Sequence, residues 1–80
     1  MVEPQSIEQS IREGLACTHL QVQGDGAHFE AVIVSPAFAG LNRVRQHQLV
    51  YAALGDRMRQ EIHALSMKTF SPEEWASRQS

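Results

Sequence analysis

The chain has 80 residues, 42% of them hydrophobic and 20% charged, with a formal net charge of −2. That length leaves room for one hydrophobic core. The composition excludes an extended disordered chain, and the charge excludes a general attraction to phosphate backbones. One cysteine, Cys17, cannot form an internal disulfide, and no apolar run approaches the roughly 20 residues of a membrane span. Met1-Val2-Glu3-Pro4 lacks the basic-then-apolar pattern of a signal peptide, so the expectation is a single cytoplasmic domain over 1–80 with its core at about 6–78.

Ser6 and Gln9 have capping-box spacing and predict the start of a first helix, whose stripe is Ile7, Ile11 and Leu15 and whose end is near Gly14. A hairpin follows. His19-Leu20-Gln21-Val22-Gln23 and His28-Phe29-Glu30-Ala31 alternate polar and apolar around Gly24-Asp25-Gly26-Ala27. A type I′ turn centred on Asp25-Gly26 pairs Gly24 with Ala27, Gln23 with His28, Val22 with Phe29 and Leu20 with Ala31. Leu20, Val22, Phe29, Ala31 and Ile33 then share the core face.

Ser35-Pro36 predicts a short helical turn closed by Gly40, and Asn42 caps the longest helix. Val44, Tyr51, Leu54 and Met58 form its apolar side, which predicts one helix to about Gln60; the alternative is a break at Gly55, with Asp56 capping a second piece. A third strand runs from about Ile62 to Thr69. Ser71-Pro72-Glu73-Glu74 then starts a short helix carrying Trp75. The expected fold is α+β, αββ(α)αβα, with a three-stranded mixed sheet covered by helices on one face. The crossover helix makes the third strand parallel to the second.

Parallel pairing sets the start of the third strand beside the start of the second, at the hairpin-tip end. His63, His28 and Asp25 would meet at this rim, where two imidazoles and a carboxylate suit a borderline transition metal or part of an iron–sulfur centre. The competing reading makes His28 a solvated edge residue and His63 a hydrogen-bonded strand residue. Strict alternation also puts His28 on the polar face and His63 in phase with Leu65 and Met67.

From about Ile7 to Arg78 the chain resembles the BolA-like family. The matching pieces are Gly24-Asp25-Gly26-Ala27-His28-Phe29, Phe38-Ala39-Gly40, His47-Gln48-Leu49-Val50-Tyr51-Ala52-Ala53-Leu54, and Ile62-His63-Ala64-Leu65-Ser66-Met67-Lys68-Thr69 continuing through Ser71-Pro72-Glu73-Glu74-Trp75. Their order and spacing carry the resemblance. It implies a class II KH-like fold and partnership with a monothiol glutaredoxin, with a [2Fe–2S] cluster held between the two proteins. The glutaredoxin cysteine and glutathione would supply thiolates. The BolA-like chain would supply a histidine at the start of its last core strand, His63 here, and a second ligand from the hairpin region. Family members with a loop cysteine carry it near the position of Asp25, so His28 is the candidate here and Asp25 the fallback. Iron–sulfur trafficking, or iron, redox and stress regulation, is the implied role, and a weak homodimer of the free chain is a further partner reading.

The rival reading is a nucleic-acid-binding transcriptional regulator that uses the KH-like fold to contact DNA through Arg43, Arg45 and Arg57. Against it, Gly40-Leu41-Asn42-Arg43 lacks the second glycine of a GXXG loop, and Gln46-His47-Gln48 replaces an Arg-His-Arg seen in similar sequences. His47 is expected to pack by hydrogen bonding, and Cys17 to be a small buried hydrophobe. No serine or cysteine has a recognisable base and orienting group, so the expectation is ligand donation and partner docking rather than catalysis.

Overall fold

The computed structural model describes residues 2–60, 62 and 64–79. The element order is α1 (Pro4–Gly14), β1 (His19–Gly24), β2 (His28–Val34), a 3₁₀ turn (Pro36–Phe38), α2 (Arg43–Leu54), α3 (Arg57–Gln60), β3 (Ala64–Phe70) and α4 (Pro72–Gln79). The sheet order is β1-β2-β3, with β1 antiparallel and β3 parallel to the central β2, as the crossover predicts.

The first helix starts earlier than the capping box suggests. Pro4 occupies its first turn, Glu3 is the cap residue without a side-chain hydrogen bond, and Ser6 lies inside the helix. Proline has no N–H to leave unsatisfied and its φ already suits a helix start. Ile7, Ile11 and Leu15 are buried as expected.

The hairpin keeps its faces but not its expected register. Gly24 pairs with Phe29, Gln23 with Glu30, Val22 with Ala31 and Leu20 with Ile33. The turn is not type I′. Only Gly26 has positive φ, 100°, and the loop is centred on Gly26-Ala27, with glycine at its first central position. The partners have moved by two residues, so side-chain parity is preserved, and Leu20, Val22, Phe29, Ala31 and Ile33 still form the core face. Gly24 is required by close approach: a Cβ there would lie 2.5 Å from both the His28 carbonyl oxygen and Phe29 Cδ1.

Asn42 caps α2 by accepting from the Arg45 N–H at 2.9 Å. The helix then stops at Leu54, because Gly55 has φ 59° and ψ −136°; the unbroken helix to Gln60 is therefore incorrect, and the break at Gly55 is correct. The expected apolar stripe also fails in part. Val44 is 66% exposed and Tyr51 43% exposed, whereas Gln46, at 2%, is buried in line with Val50 and Leu54. Gln46 donates to the carbonyls of Phe38 (3.2 Å) and Leu41 (2.9 Å), and its Oε1 accepts from Thr69 Oγ1 and Arg43 Nη1, both at 2.8 Å. A fully paired amide can be buried at modest cost.

The helices α1 and α2 pack with the sheet's apolar face to form the core. His19, Val34 and Phe70 form one row across the sheet with the opposite parity. Trp75 of α4 stacks on His19 at 4.9 Å and tilts against Phe70 at 5.4 Å, closing the other face at the end remote from the hairpin turn. The expected capping box starts α4: Ser71 N–H donates to Glu74 Oε1 (3.0 Å) and Glu74 N–H to Ser71 Oγ (3.2 Å). Among the described residues, no helix is long and apolar enough to cross a membrane.

Candidate functional site

The rim is organised by one carboxylate. Asp25 Oδ1 accepts from the N–H groups of Ala27 (3.0 Å) and His28 (2.9 Å), while Asp25 N–H donates to the His28 carbonyl at 3.2 Å. These bonds close the loop and start β2 at His28. They also hold the Asp25 carboxyl below its ordinary pKa, the His28 N–H contributing most and the Ala27 N–H next. Asp25 is therefore a turn cap with one oxygen already engaged.

Parallel pairing then sets His28 opposite Ala64. Adjacent strands lie about 4.8 Å apart, so the hairpin tip and the start of β3 share one edge of the molecule. His63 is the residue before Ala64 in the sequence and lies outside the described residues. The His28 side chain is exposed. Beside it, on the outer face, Gln23, Glu30, Val32, Ser66 and Lys68 surround a shallow concavity of about 220 Å³.

The described part of the rim thus offers an exposed imidazole and a partly engaged carboxylate. Imidazole is a borderline donor suited to iron, whereas a carboxylate oxygen prefers harder cations, so His28 fits an iron–sulfur ligand better than Asp25. Among the described residues, no three His, Cys, Asp or Glu side chains gather as a metal-holding group.

The three arginines of the nucleic-acid reading have different surroundings. Arg43 Nη1 donates to Gln46 Oε1 and to the Thr69 carbonyl, its Nη2 lies 3.7 Å from Glu74, and its guanidinium sits 5.8 Å from the Phe70 ring centre. Arg57 Nη1 donates to the Ser6 carbonyl (2.9 Å) and Ser10 Oγ (2.6 Å), and its Nη2 to Ser6 Oγ (2.7 Å). Arg45 is exposed on the first turn of α2. The i, i+4 spacing of Ser6 and Ser10 beside the Ile7–Ile11 stripe was the available hint that a polar partner docks there.

His47 is half-buried; burial and then the Arg43 charge push its pKa down, which favours neutral imidazole. Cys17 precedes β1, at the end of the sheet opposite the hairpin turn. Burial pushes its thiol up against the opposing charge of Arg12, and Sγ donates to the Leu15 carbonyl at 3.4 Å.

The fold and rim together define a small α+β domain whose exposed hairpin tip lies beside the start of its last strand. Residues 3–74 match the family described as BolA-like protein. The acid stress protein IbaG of Escherichia coli is 36% identical over 76 residues, covering 94% of this chain and 90% of that one. The DNA-binding transcriptional regulator BolA of Haemophilus influenzae is 38% identical over 60 residues, covering 75% and 58%. The structure of a bolA protein homologue from Coxiella burnetii superposes with a TM-score of 0.86 at 45% identity, covering 95% of this chain and 99% of that one. The chain belongs to the BolA-like family.

Proposed function

We propose that this chain is an adaptor that docks a monothiol glutaredoxin and shares a [2Fe–2S] cluster with it as cargo. The observation that supports this reading most is the parallel register of His28 against Ala64, the residue that follows His63. In this reading His63 and His28 are this chain's ligands, Asp25 is the substitute for His28, and the glutaredoxin cysteine and glutathione supply thiolates. A neutral imidazole in place of a thiolate reduces the negative charge on the cluster and raises its potential. It also leaves a ligand that acid displaces by protonation. The role of the protein is to donate, orient and release ligands, in iron–sulfur trafficking or in regulation by iron, redox state or stress.

The test is reconstitution with a monothiol glutaredoxin, glutathione, iron and sulfide, followed by size exclusion and visible circular dichroism. A one-to-one coloured complex is expected, with a spectrum altered by His63→Ala. A chain that leaves the glutaredoxin spectrum and elution unchanged would contradict the proposal.

A second reading, duplex binding, is favoured by the DNA-binding relative and by exposed Arg45. It predicts affinity that falls steeply with salt, with Arg45→Gln lowering the log–log slope by about one. Salt-independent or absent binding removes it.

A further inference from the structure

Arg57 joins two parts of the molecule that are 51 residues apart in sequence. Its guanidinium grips α1 through three hydrogen bonds, to the Ser6 carbonyl, Ser6 Oγ and Ser10 Oγ, at 2.6–2.9 Å. The backbone carbonyl of the same residue accepts the Ile62 N–H at 3.0 Å, across the end of α3. Ile62 is 4% exposed and belongs to the core, and it is the residue immediately before His63. On the other side of His63, Ala64 is paired with His28.

A four-residue helix cannot hold itself together by its own hydrogen bonds, so α3 depends on ties to its neighbours. The planar fork of Arg57 supplies several such ties at once, and a lysine, with a single point-like ammonium, cannot reproduce them. We propose that Arg57 is a positioning residue for His63: by clamping α3 to α1 it holds the acceptor for Ile62 and so sets where the chain enters β3. This rests on the ligand reading of His63 given above. It also assigns Arg57 an internal task in place of a phosphate contact.

The test uses the full chain. In the free protein, Arg57→Gln should raise amide hydrogen exchange at Ile62 at least roughly tenfold, as expected for the loss of charge-assisted hydrogen bonds. Ser10→Ala should raise it less, and Arg57→Lys should fall between. In the reconstituted complex, Arg57→Gln should change the visible circular dichroism and speed cluster loss several-fold, with partial rescue by Arg57→Lys. Arg12→Gln on the exposed side of α1 should change neither. If Arg57→Gln proves unable to fold, Arg57→Lys and Ser10→Ala carry the same comparison. Unchanged Ile62 exchange in folded variants overturns the clamp. Raised exchange with a parental cluster spectrum, in a system where His63→Ala does alter that spectrum, overturns the positioning role alone. A silent His63→Ala overturns the ligand reading and the positioning role with it.

Discussion

His28 and Ala64 face each other as the first residues of two parallel strands. This relationship follows from chain topology. A short hairpin returns β2 antiparallel to β1, and the helical crossover returns β3 in the same direction as β2. The turn that starts β2 and the segment that starts β3 are consequently built on one edge, and mutations in either should be felt there.

Asp25 should make the hairpin acid-sensitive. Its folded pKa is depressed, first by the His28 N–H and then by the Ala27 N–H. A depressed carboxylate contributes stability that is fully present above its unfolded value of about 3.9 and is lost as pH falls through the lower folded value. Asp25→Asn keeps an acceptor oxygen and should flatten the acid limb while staying closer to the parent at neutral pH than Asp25→Ala. Thermal melts from pH 7 downward check this. Identical acid limbs for parent and both variants would refute the capping role.

Gly24→Ala should destabilise the whole domain. The new methyl would meet the His28 carbonyl oxygen and Phe29 Cδ1, each at 2.5 Å, and backbone would have to move. Overpacking of this kind costs about 2 kcal/mol. For a domain of this length that lowers the melting temperature by roughly 4–8 °C for each kcal/mol. Because the strain falls on His28 backbone, the amide shifts of His28 and Ala64 should move together.

Gln46→Leu should cost about 3 kcal/mol although it adds an apolar residue to a buried site. The change strands the Phe38 and Leu41 carbonyls and leaves the Thr69 hydroxyl and Arg43 without their shared acceptor. Chemical denaturation provides the measurement, and a neutral or stabilising outcome would contradict the network.

His19→Ala should loosen α4. The ring stack with Trp75 is worth about 1 kcal/mol beyond its buried area, and it ties α4 to the edge strand β1. Trp75 is the chain's one tryptophan, so its emission should shift to the red in the variant. An unchanged emission maximum would mean that Phe70 alone holds the indole.

Much of this architecture was legible in the residues. Alternation marked β1 and β2, the S-P-E-E start marked α4, and the crossover rule made β3 parallel. The errors have a common cause. Asp25 recentred the turn with its own side chain, Gln46 was buried by hydrogen bonding rather than by hydrophobicity, and Val44 and Tyr51 face solvent although hydropathy places them inside. The DNA-binding reading gives Arg57 a phosphate contact because its serine partners lie on the first helix, far away in sequence. Polar satisfaction is a property of three-dimensional neighbours, and a one-dimensional pattern does not display it. At the candidate site the topology made the edge legible at His28, whereas the engagement of the Asp25 carboxylate needed coordinates.

The most direct test of the ligand edge is visible circular dichroism of the glutaredoxin complex, recorded for the parent, His63→Ala, His28→Ala and Asp25→Ala. His63→Ala and His28→Ala should each change the cluster bands and speed cluster loss, and Asp25→Ala should act more weakly, through the turn. Spectra and loss rates that are the same for the parent and both histidine variants would contradict the ligand assignment.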